Sequence, residues 1–224
     1  MQPAKSTSSS GAQSGCLVVI GAVFILASCG GLAIASPALT GALSTGSFNP
    51  ASLLSGENIG ALIGGGIFAL AFLVVGLVMV GIGVRVLLAR ARVSRPEVTL
   101  SNQSPRVGEV VGLSYRQTFR TGTDVQGIRF QLVLRETATY RRGTNTVTVR
   151  HNNVLQEYQL AGRHFASGEG FQDQRQFRVM GMHSFAASHN KLDWMIHVQV
   201  DMAGWPAYEE DYPLQVPAEL TAPG

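Results

Sequence analysis

The sequence predicts two transmembrane α-helices followed by an all-β antiparallel sandwich. Two uncharged, glycine-rich stretches lie among the first 90 residues, and several arginines follow the second one, residues 59–84. Beyond Glu97 the pattern changes to alternating polar and apolar residues, interrupted by glycine, proline and asparagine. An apolar helix of about 20 residues spans a bilayer. Alternation with a period of two is typical of strands that bury one face.

The first predicted transmembrane helix occupies residues 16–36. Residues 16–35 carry no charge and just reach spanning length. Pro37 ends this helix, because proline cannot continue a helix and restrains the residue before it. Residues 1–15 are rich in serine, glycine, alanine and glutamine, so they bury too little apolar surface to become ordered. We therefore predict a disordered N-terminal tail.

The second predicted transmembrane helix occupies residues 59–90, and the charges around it predict the topology. Residues 37–58 carry Glu57 as their single charge and no lysine or arginine, as expected of an extracytoplasmic loop. Cationic flanks translocate poorly, and they also attract anionic lipid headgroups. The predicted topology and headgroup residues are Arg85, Arg90, Arg92 and Arg95. We expect a multi-pass protein of the plasma (inner) membrane with both termini in the cytoplasm.

Small residues recur at four-residue spacing in both apolar stretches. They are Ala27, Gly31 and Ala35 in the first stretch, and Gly60 and Gly64 in the second. Small side chains let two helix backbones approach closely in lipid. This spacing predicts helix packing, either within a hairpin or between the subunits of a homo-oligomer. The alternative is that glycine is simply common in membrane helices.

A lipoprotein signal is an alternative for the first apolar stretch. Residues 26–29, Leu-Ala-Ser-Cys, resemble a bacterial lipobox, after which Cys29 would be lipidated. Against this alternative, the apolar run continues to Ala35, and the leading region is long and has Lys5 as its only charge. The second helix has the same orientation in both cases, because Cys29 would lie outside.

The whole chain has a net charge of +3, and its excess positive charge lies in Lys5 and the four arginines near the second apolar stretch. From Glu97 onward there are 12 lysines and arginines against 13 acidic residues, a net charge of −1. This distribution is that of a topology signal and does not favour nucleic-acid binding. Cys16 and Cys29 are the two cysteines, so the β region has no disulfide framework.

The β region, residues 97–219, shows its clearest alternation at residues 128–134 and 194–200. Turn residues, among them Gly143 and the pair Asn152-Asn153, separate the predicted strands. Seven or eight short strands without an amphipathic helix favour an antiparallel sandwich.

One known family has a similar layout. Residues 192–216, Leu-Asp-Trp-Met-Ile-His-Val through Glu-Glu-Asp-Tyr-Pro-Leu-Gln-Val, resemble the closing hairpin of arrestin-type β-sandwiches. In that hairpin a Trp-centred strand, an acidic turn and a short strand preceded by proline follow one another. Residues 177–184 resemble the preceding strand and turn, although Met182-His183 lacks the expected proline. The layout is similar to that of uncharacterised bacterial membrane proteins with two helices and a C-terminal arrestin-like domain. The resemblance implies an arrestin-like, immunoglobulin-like sandwich that serves binding or scaffolding and carries no catalytic residues.

The sequence shows no pattern typical of an enzyme. No G-x-S-x-G elbow or glycine-rich phosphate loop occurs in the β region. The histidines do not have the spacing of a zinc site, which needs three or four convergent ligands. They are His151, His164, His183, His189 and His197. We predict a non-enzyme without metal or cofactor.

Three further groups are candidates for partner contacts. We interpret Glu209–Asp211 as a solvated hairpin turn, with a bound cation or basic segment as the alternative. Arg141-Arg142, next to Tyr140, reads as a charged hairpin tip, with anionic lipid as the alternative partner. Trp205 and Tyr208 are the predicted partner contacts, although Trp205 could instead close one end of the core.

We therefore predict a membrane-anchored binding or scaffolding protein that presents a cytoplasmic β-sandwich to a protein partner. The alternative is a structural subunit of a membrane protein assembly that is held together through its glycine-rich helices.

Overall fold

A computed structural model of the chain describes residues 2–6, 10–35 and 56–218. The described helices are α1 (Ser10–Ala35) and α2 (Gly56–Arg92). The described strands are β1 (Gln2–Pro3), β2 (Glu97–Leu100), β3 (Val110–Thr118), β4 (Thr123–Arg142), β5 (Asn145–Ala161), β6 (His164–Phe165), β7 (Gly170–Arg178), β8 (Phe185–Ala186), β9 (Asn190–Met202) and β10 (Tyr208–Leu214). Residues 10–87 form one compact unit, and the other described residues form a second.

The two predicted helices are present. One segment, Ala69–Arg92, is long and apolar enough to cross a membrane by length and composition, and Gly15–Ser28 is a shorter apolar helical segment. Helix α2 begins at Gly56, three residues before the predicted start. Most of the predicted extracytoplasmic loop, residues 37–58, lies outside the described residues.

Two glycines form the contact between the helices. A Cβ atom added at Gly76 would lie 2.8 Å from Cγ1 of Ile25 and 2.9 Å from the carbonyl oxygen of Gly21. The rings of Phe24 and Phe72 stack beside this contact, with their centroids 5.3 Å apart. Close packing of small residues thus joins α1 and α2 within one chain.

The predicted packing residues are not the ones seen at this contact. Ala27 is exposed, whereas Gly31, Ala35, Gly60 and Gly64 lie outside the residues whose side chains the structure describes. The described contact is formed at Gly21 and Gly76, and packing at the four undescribed positions stays a prediction.

The N-terminal tail, residues 1–15, differs from the prediction of disorder. Strand β1 pairs antiparallel with β2, and the backbone N–H of Ala4 donates to the carbonyl oxygen of Val98 over 2.9 Å. Helix α1 then begins at Ser10. The composition of the tail did not predict this strand, because hydrogen bonds to the open edge of β2 order it. Such pairing requires little burial of apolar side chains from the strand itself.

The β-rich unit is a sandwich of two antiparallel sheets. One sheet has the order β1-β2-β3-β7. The other has the order β10-β9-β4-β5, with β6 paired to β4 and β8 paired to β9. Between the sheets lie Trp194, Tyr115 and Phe130, all fully buried, and the last two rings meet edge to face with centroids 5.3 Å apart. The predicted antiparallel sandwich is confirmed.

The predicted alternation is confirmed on the two central strands. The buried positions are Ile128, Phe130 and Leu132 on β4, and Trp194, Ile196, Val198 and Val200 on β9. The predicted turn at Gly143 is also present, because this residue has φ +65° between β4 and β5.

Strands β4 and β5 are longer than the short strands that the sequence predicts. The pair Asn152-Asn153 does not break the chain, and β5 continues through it for 17 residues in total. Both asparagine side chains bond across the sheet: Arg135 Nε donates to Asn152 Oδ1 over 2.9 Å, and Asn153 Nδ2 donates to Glu136 Oε1 over 3.2 Å. Cross-strand hydrogen bonds therefore override the local turn preference of asparagine.

Substitution of Gly76 by isoleucine should separate the two helices, because its Cβ would enter the space of Ile25 Cγ1. We expect a large fall in the yield of a disulfide between Phe24→Cys and Phe72→Cys in an otherwise cysteine-free chain in membranes. Gly81→Ile is the matched control, since a Cβ there meets no atom within 4 Å. Equal disulfide yields in the two variants would contradict this contact.

Candidate functional site

An exposed hairpin extends from one end of the sandwich. We call residues 137–154 the arm; they form the distal parts of β4 and β5. The pairing of β4 with β9 ends at Ala138 opposite Asn190, followed by one bond of 2.7 Å from the N–H of Thr139 to the carbonyl oxygen of His189. Beyond this point the arm is held by β4–β5 pairing alone among the described strands.

One face of the arm continues the core-facing side of its sheet. Register places Ala138 opposite Val149, and Tyr140 opposite Val147, on the same face as the core residue Leu132. Tyr140 is nevertheless 49% exposed, and Val149 is similarly open. The arm therefore leaves side chains at core-type positions about half exposed.

A groove lies at the base of the arm, and its cavity volume is about 380 Å³. Its apolar lining comprises Leu134, Ala138, Met182, Phe185 and Leu192. Met182 is 65% exposed and Phe185 39% exposed, which is unusual for large apolar side chains beside a core. We call this feature the apolar groove.

The backbone at the groove is fixed although the Met182 side chain is exposed. Trp194 Nε1 donates a hydrogen bond to the carbonyl oxygen of Met182 over 2.8 Å. The backbone N–H of Ser184 donates to the carbonyl oxygen of Val216, also over 2.8 Å. Gly181 has φ +122°, a conformation that glycine adopts readily. A glycine therefore shapes the loop before Met182-His183, where the arrestin resemblance led us to expect proline.

The segments around the apolar groove are cationic. Residues 137–156 contain Arg141, Arg142 and Arg150 and no acidic residue, and residues 174–192 also lack acidic residues. Ion pairs among the described residues do not involve these three arginines. This charge is therefore available to an anionic group.

Two charged side chains line the groove itself. Glu136 accepts a hydrogen bond from Asn153, as described above, and Lys191 Nζ lies 2.9 Å from Asp193 Oδ2. Since Lys191 has its own carboxylate partner, the uncompensated positive charge lies mainly on the arm.

The outer face of the same sheet carries an ion-pair network that clamps three strands. Arg135 Nη2 lies 3.1 Å from Asp211 Oδ2, and His197 Nδ1 lies 2.7 Å from Asp211 Oδ1. Partial burial opposes ionisation of Asp211, but the hydrogen bond from His197 and the charge of Arg135 outweigh it and lower the pKa of Asp211. Because β9 lies between β4 and β10, the Arg135 side chain crosses above Met195, which is buried.

Among the described residues, no three His, Cys, Asp or Glu side chains converge as a metal site requires.

The acidic run Glu209–Asp211 lies within strand β10, and its interpretation as a solvated turn is wrong. Glu210 is 6% exposed, and Tyr212 Oη donates to Glu210 Oε2 over 2.6 Å. Burial, together with the neighbouring Glu210 carboxylate, raises the pKa values of Tyr208 and Tyr212. Period-two alternation along β10 turns residues 208, 210 and 212 inward, so the strand buries a carboxylate between two phenols.

This buried cluster connects to the chain that follows α2. Tyr115 Oη donates to Gln117 Oε1 over 2.6 Å, and Gln117 Nε2 donates to the carbonyl oxygen of Ser94 over 3.1 Å. Burial, with Tyr208 and Glu210 nearby, raises the pKa of Tyr115. We call Tyr115, Gln117, Tyr208, Glu210 and Tyr212 the buried polar cluster.

The arginines at and just after the end of α2 contact the sandwich. The Arg92 guanidinium lies over the Trp205 ring, 4.2 Å from its centroid. Arg95 Nη2 donates to Ser6 Oγ over 2.9 Å, and the charges of Arg90 and Arg95 oppose the rise in the Tyr208 pKa.

The two predicted partner-contact residues are not surface anchors. Tyr208 is buried, and Trp205 packs partly buried against the core, which is the alternative that the sequence left open. Arg85 lies on an exposed part of α2. The sequence analysis missed Met182 and Phe185; their signal was large apolar residues in a glycine-containing, acid-free segment just after a strand.

Comparison with known proteins finds similarity among solved structures. No family model matches the chain, and no curated protein matches it. Among solved structures, it is similar to Spo0M, a sporulation control protein from Bacillus subtilis, with 13% sequence identity and a TM-score of 0.45. The match covers 56% of this chain and 49% of that chain, so this chain spans about half the length of the solved structure.

Truncation of Glu210 to alanine should destabilise the sandwich by about 2–4 kcal/mol, because it leaves a cavity and buried hydroxyl groups without an acceptor. Glu209→Ala is the matched control on the exposed side of the same strand, where we expect a change within about 0.5 kcal/mol. Urea unfolding of the full chain in mild detergent, followed by tryptophan fluorescence, measures both. Equal free energies of unfolding for the two variants would show that the buried polar cluster does not stabilise the fold.

Proposed function

We propose that this chain is a membrane-anchored binding protein of the plasma (inner) membrane. Helices α1 and α2 form a transmembrane hairpin, and the cytoplasmic sandwich binds a protein partner at the apolar groove. The observation that carries the proposal is that exposed apolar side chains, chiefly Met182 and Phe185, line the groove. The backbone that bears Met182 is fixed by the hydrogen bond from Trp194. Monomeric soluble proteins rarely expose such clusters unless they bind something there.

The connectivity supports a hairpin. Strand β1 precedes α1 and pairs with β2, which follows α2. These two strands must therefore lie on the same side of any membrane that α2 crosses, and the chain between them must cross an even number of times. Helix α1 is the described segment available for the return, and its Gly21 meets Gly76 of α2.

The charges and the first strand support the orientation and an uncleaved N-terminus. Arginines at the sandwich end of α2 favour the cytoplasmic side. Cleavage before Cys29, as in the lipoprotein alternative, would remove β1 together with Gly21 and Phe24. The pairing of β1 with β2 and the packing of Gly21 and Phe24 against α2 therefore favour a chain whose N-terminal segment is not cleaved off.

An arrestin-like character of the sandwich is part of the proposal. It is supported by the β9–β10 hairpin, in which Trp194 is buried and Pro213 lies opposite Met195. The departure from the resemblance is that the acidic residues belong to strand β10 and not to the turn before it.

Labelling with a membrane-impermeant maleimide tests the topology. In an otherwise cysteine-free chain, we expect Ser47→Cys to react in intact, outer-membrane-permeabilised cells, because it lies in the predicted external loop. Lys5→Cys and Gln126→Cys should react only after the inner membrane is opened. Opposite behaviour of Lys5→Cys and Gln126→Cys would rule out the hairpin, and inverted labelling of all three would reverse the orientation.

Site-specific photocrosslinking in living cells tests the binding site. A photoreactive amino acid in place of Met182 should give a discrete adduct with another protein, since the groove would hold its partner there. The matched control is the same amino acid in place of Arg116, which is exposed on β3 of the opposite sheet. Adducts of equal yield at both positions, or none at Met182, would contradict partner binding at the groove.

A further inference from the structure

We infer that the apolar groove takes an acidic amphipathic segment of the partner protein. Such a segment places one or two large apolar side chains in the groove and carboxylates against the arm. This inference rests on the proposed function and specifies the chemistry of the partner.

The groove suits apolar side chains in size and in surface. Its volume of about 380 Å³ lies within the range of about 300–1,000 Å³ that protein clefts offer to ligands. Leu192 is buried at the groove, whereas Met182 and Phe185 are exposed. An inserted side chain would therefore contact the buried leucine as well as the two exposed apolar side chains. Methionine is flexible and polarisable, which allows Met182 to adapt to the inserted side chain.

The charges around the groove select the polar part of the segment. The arm carries Arg141, Arg142 and Arg150 in a stretch without acidic residues, and residues 174–192 lack acidic residues as well. Alternation along β4 and β5 places Arg142 on the same face as Tyr140, whereas Arg141 and Arg150 lie on the other face of this open, two-stranded arm. Glu136 is the single carboxylate that lines the groove, and Asn153 donates a hydrogen bond to it. Complementary charges steer association and disfavour basic partners.

A protein segment fits this site better than a bilayer does. Membrane surfaces are contacted by apolar side chains that protrude from the protein. Here Leu134 and Leu192 line a cavity, and a bilayer cannot follow its concave surface. The tip of the arm, with Tyr140 beside Arg141 and Arg142, is the part that a bilayer could reach, so the experiment includes lipid as a competing outcome.

Selection from a displayed library of random 12-residue peptides tests the inference on the full chain in mild detergent. We expect enriched peptides to combine Asp and Glu with large apolar residues. For the best synthetic peptide, fluorescence anisotropy should show Kd rising about tenfold or more in Met182→Glu and in the double variant Arg141→Glu, Arg142→Glu. Val110→Glu is the matched control, because Val110 is a similarly exposed apolar residue (45%) on the opposite sheet, and its Kd should stay within about twofold.

The remaining outcomes overturn the inference. No enrichment, enrichment without excess acid, or equal binding by Met182→Glu and Val110→Glu would each do so, provided that tryptophan fluorescence shows both variants folded. Displacement of the peptide by phosphatidylglycerol vesicles would assign the surface to lipid. A protein adduct at Met182 in cells, combined with selected peptides that lack acid, would reject this inference and leave the proposed function standing; the absence of that adduct would remove both.

Discussion

The hydrogen bonding of one buried carboxylate is the constraint on which the rest of the sandwich depends. A charged group in a core costs several kcal/mol unless hydrogen bonds compensate it. Glu210 accepts a hydrogen bond from the phenol of Tyr212, and Tyr208 and Tyr115 lie nearby. The inner face of β10 thus brings a buried carboxyl group into the core together with its hydrogen-bond partner.

The same cluster links the core to the end of the second helix. Gln117 bonds to Ser94, while Ala89 and Val93 belong to the hydrophobic core itself. The last turn of α2 is therefore part of the β-rich unit and not a free linker to it. Residues of this stretch thus carry the charges from which the sequence predicts the topology, and their side chains also pack into the sandwich.

The groove follows from unequal coverage of one sheet. Strands β4 and β5 continue past the partner strand β9, so side chains at core-type positions lose their cover. Hydrogen bonds across the sheet from Asn152 and Asn153 keep this part in strand form.

Sequence alone determined the elements whose signal is local. Apolar length identified both helices, and period-two alternation placed Phe130, Trp194 and their neighbours inside, because these preferences depend only on nearby residues. Four features needed the tertiary structure: β1 on the edge of β2, the Gly21–Gly76 contact, the burial of Glu210 and the exposure of Met182. Each of them depends on residues far apart in the chain. A composition that reads as disordered, or as a solvated acidic turn, acquires its structure only from partners that the fold brings beside it.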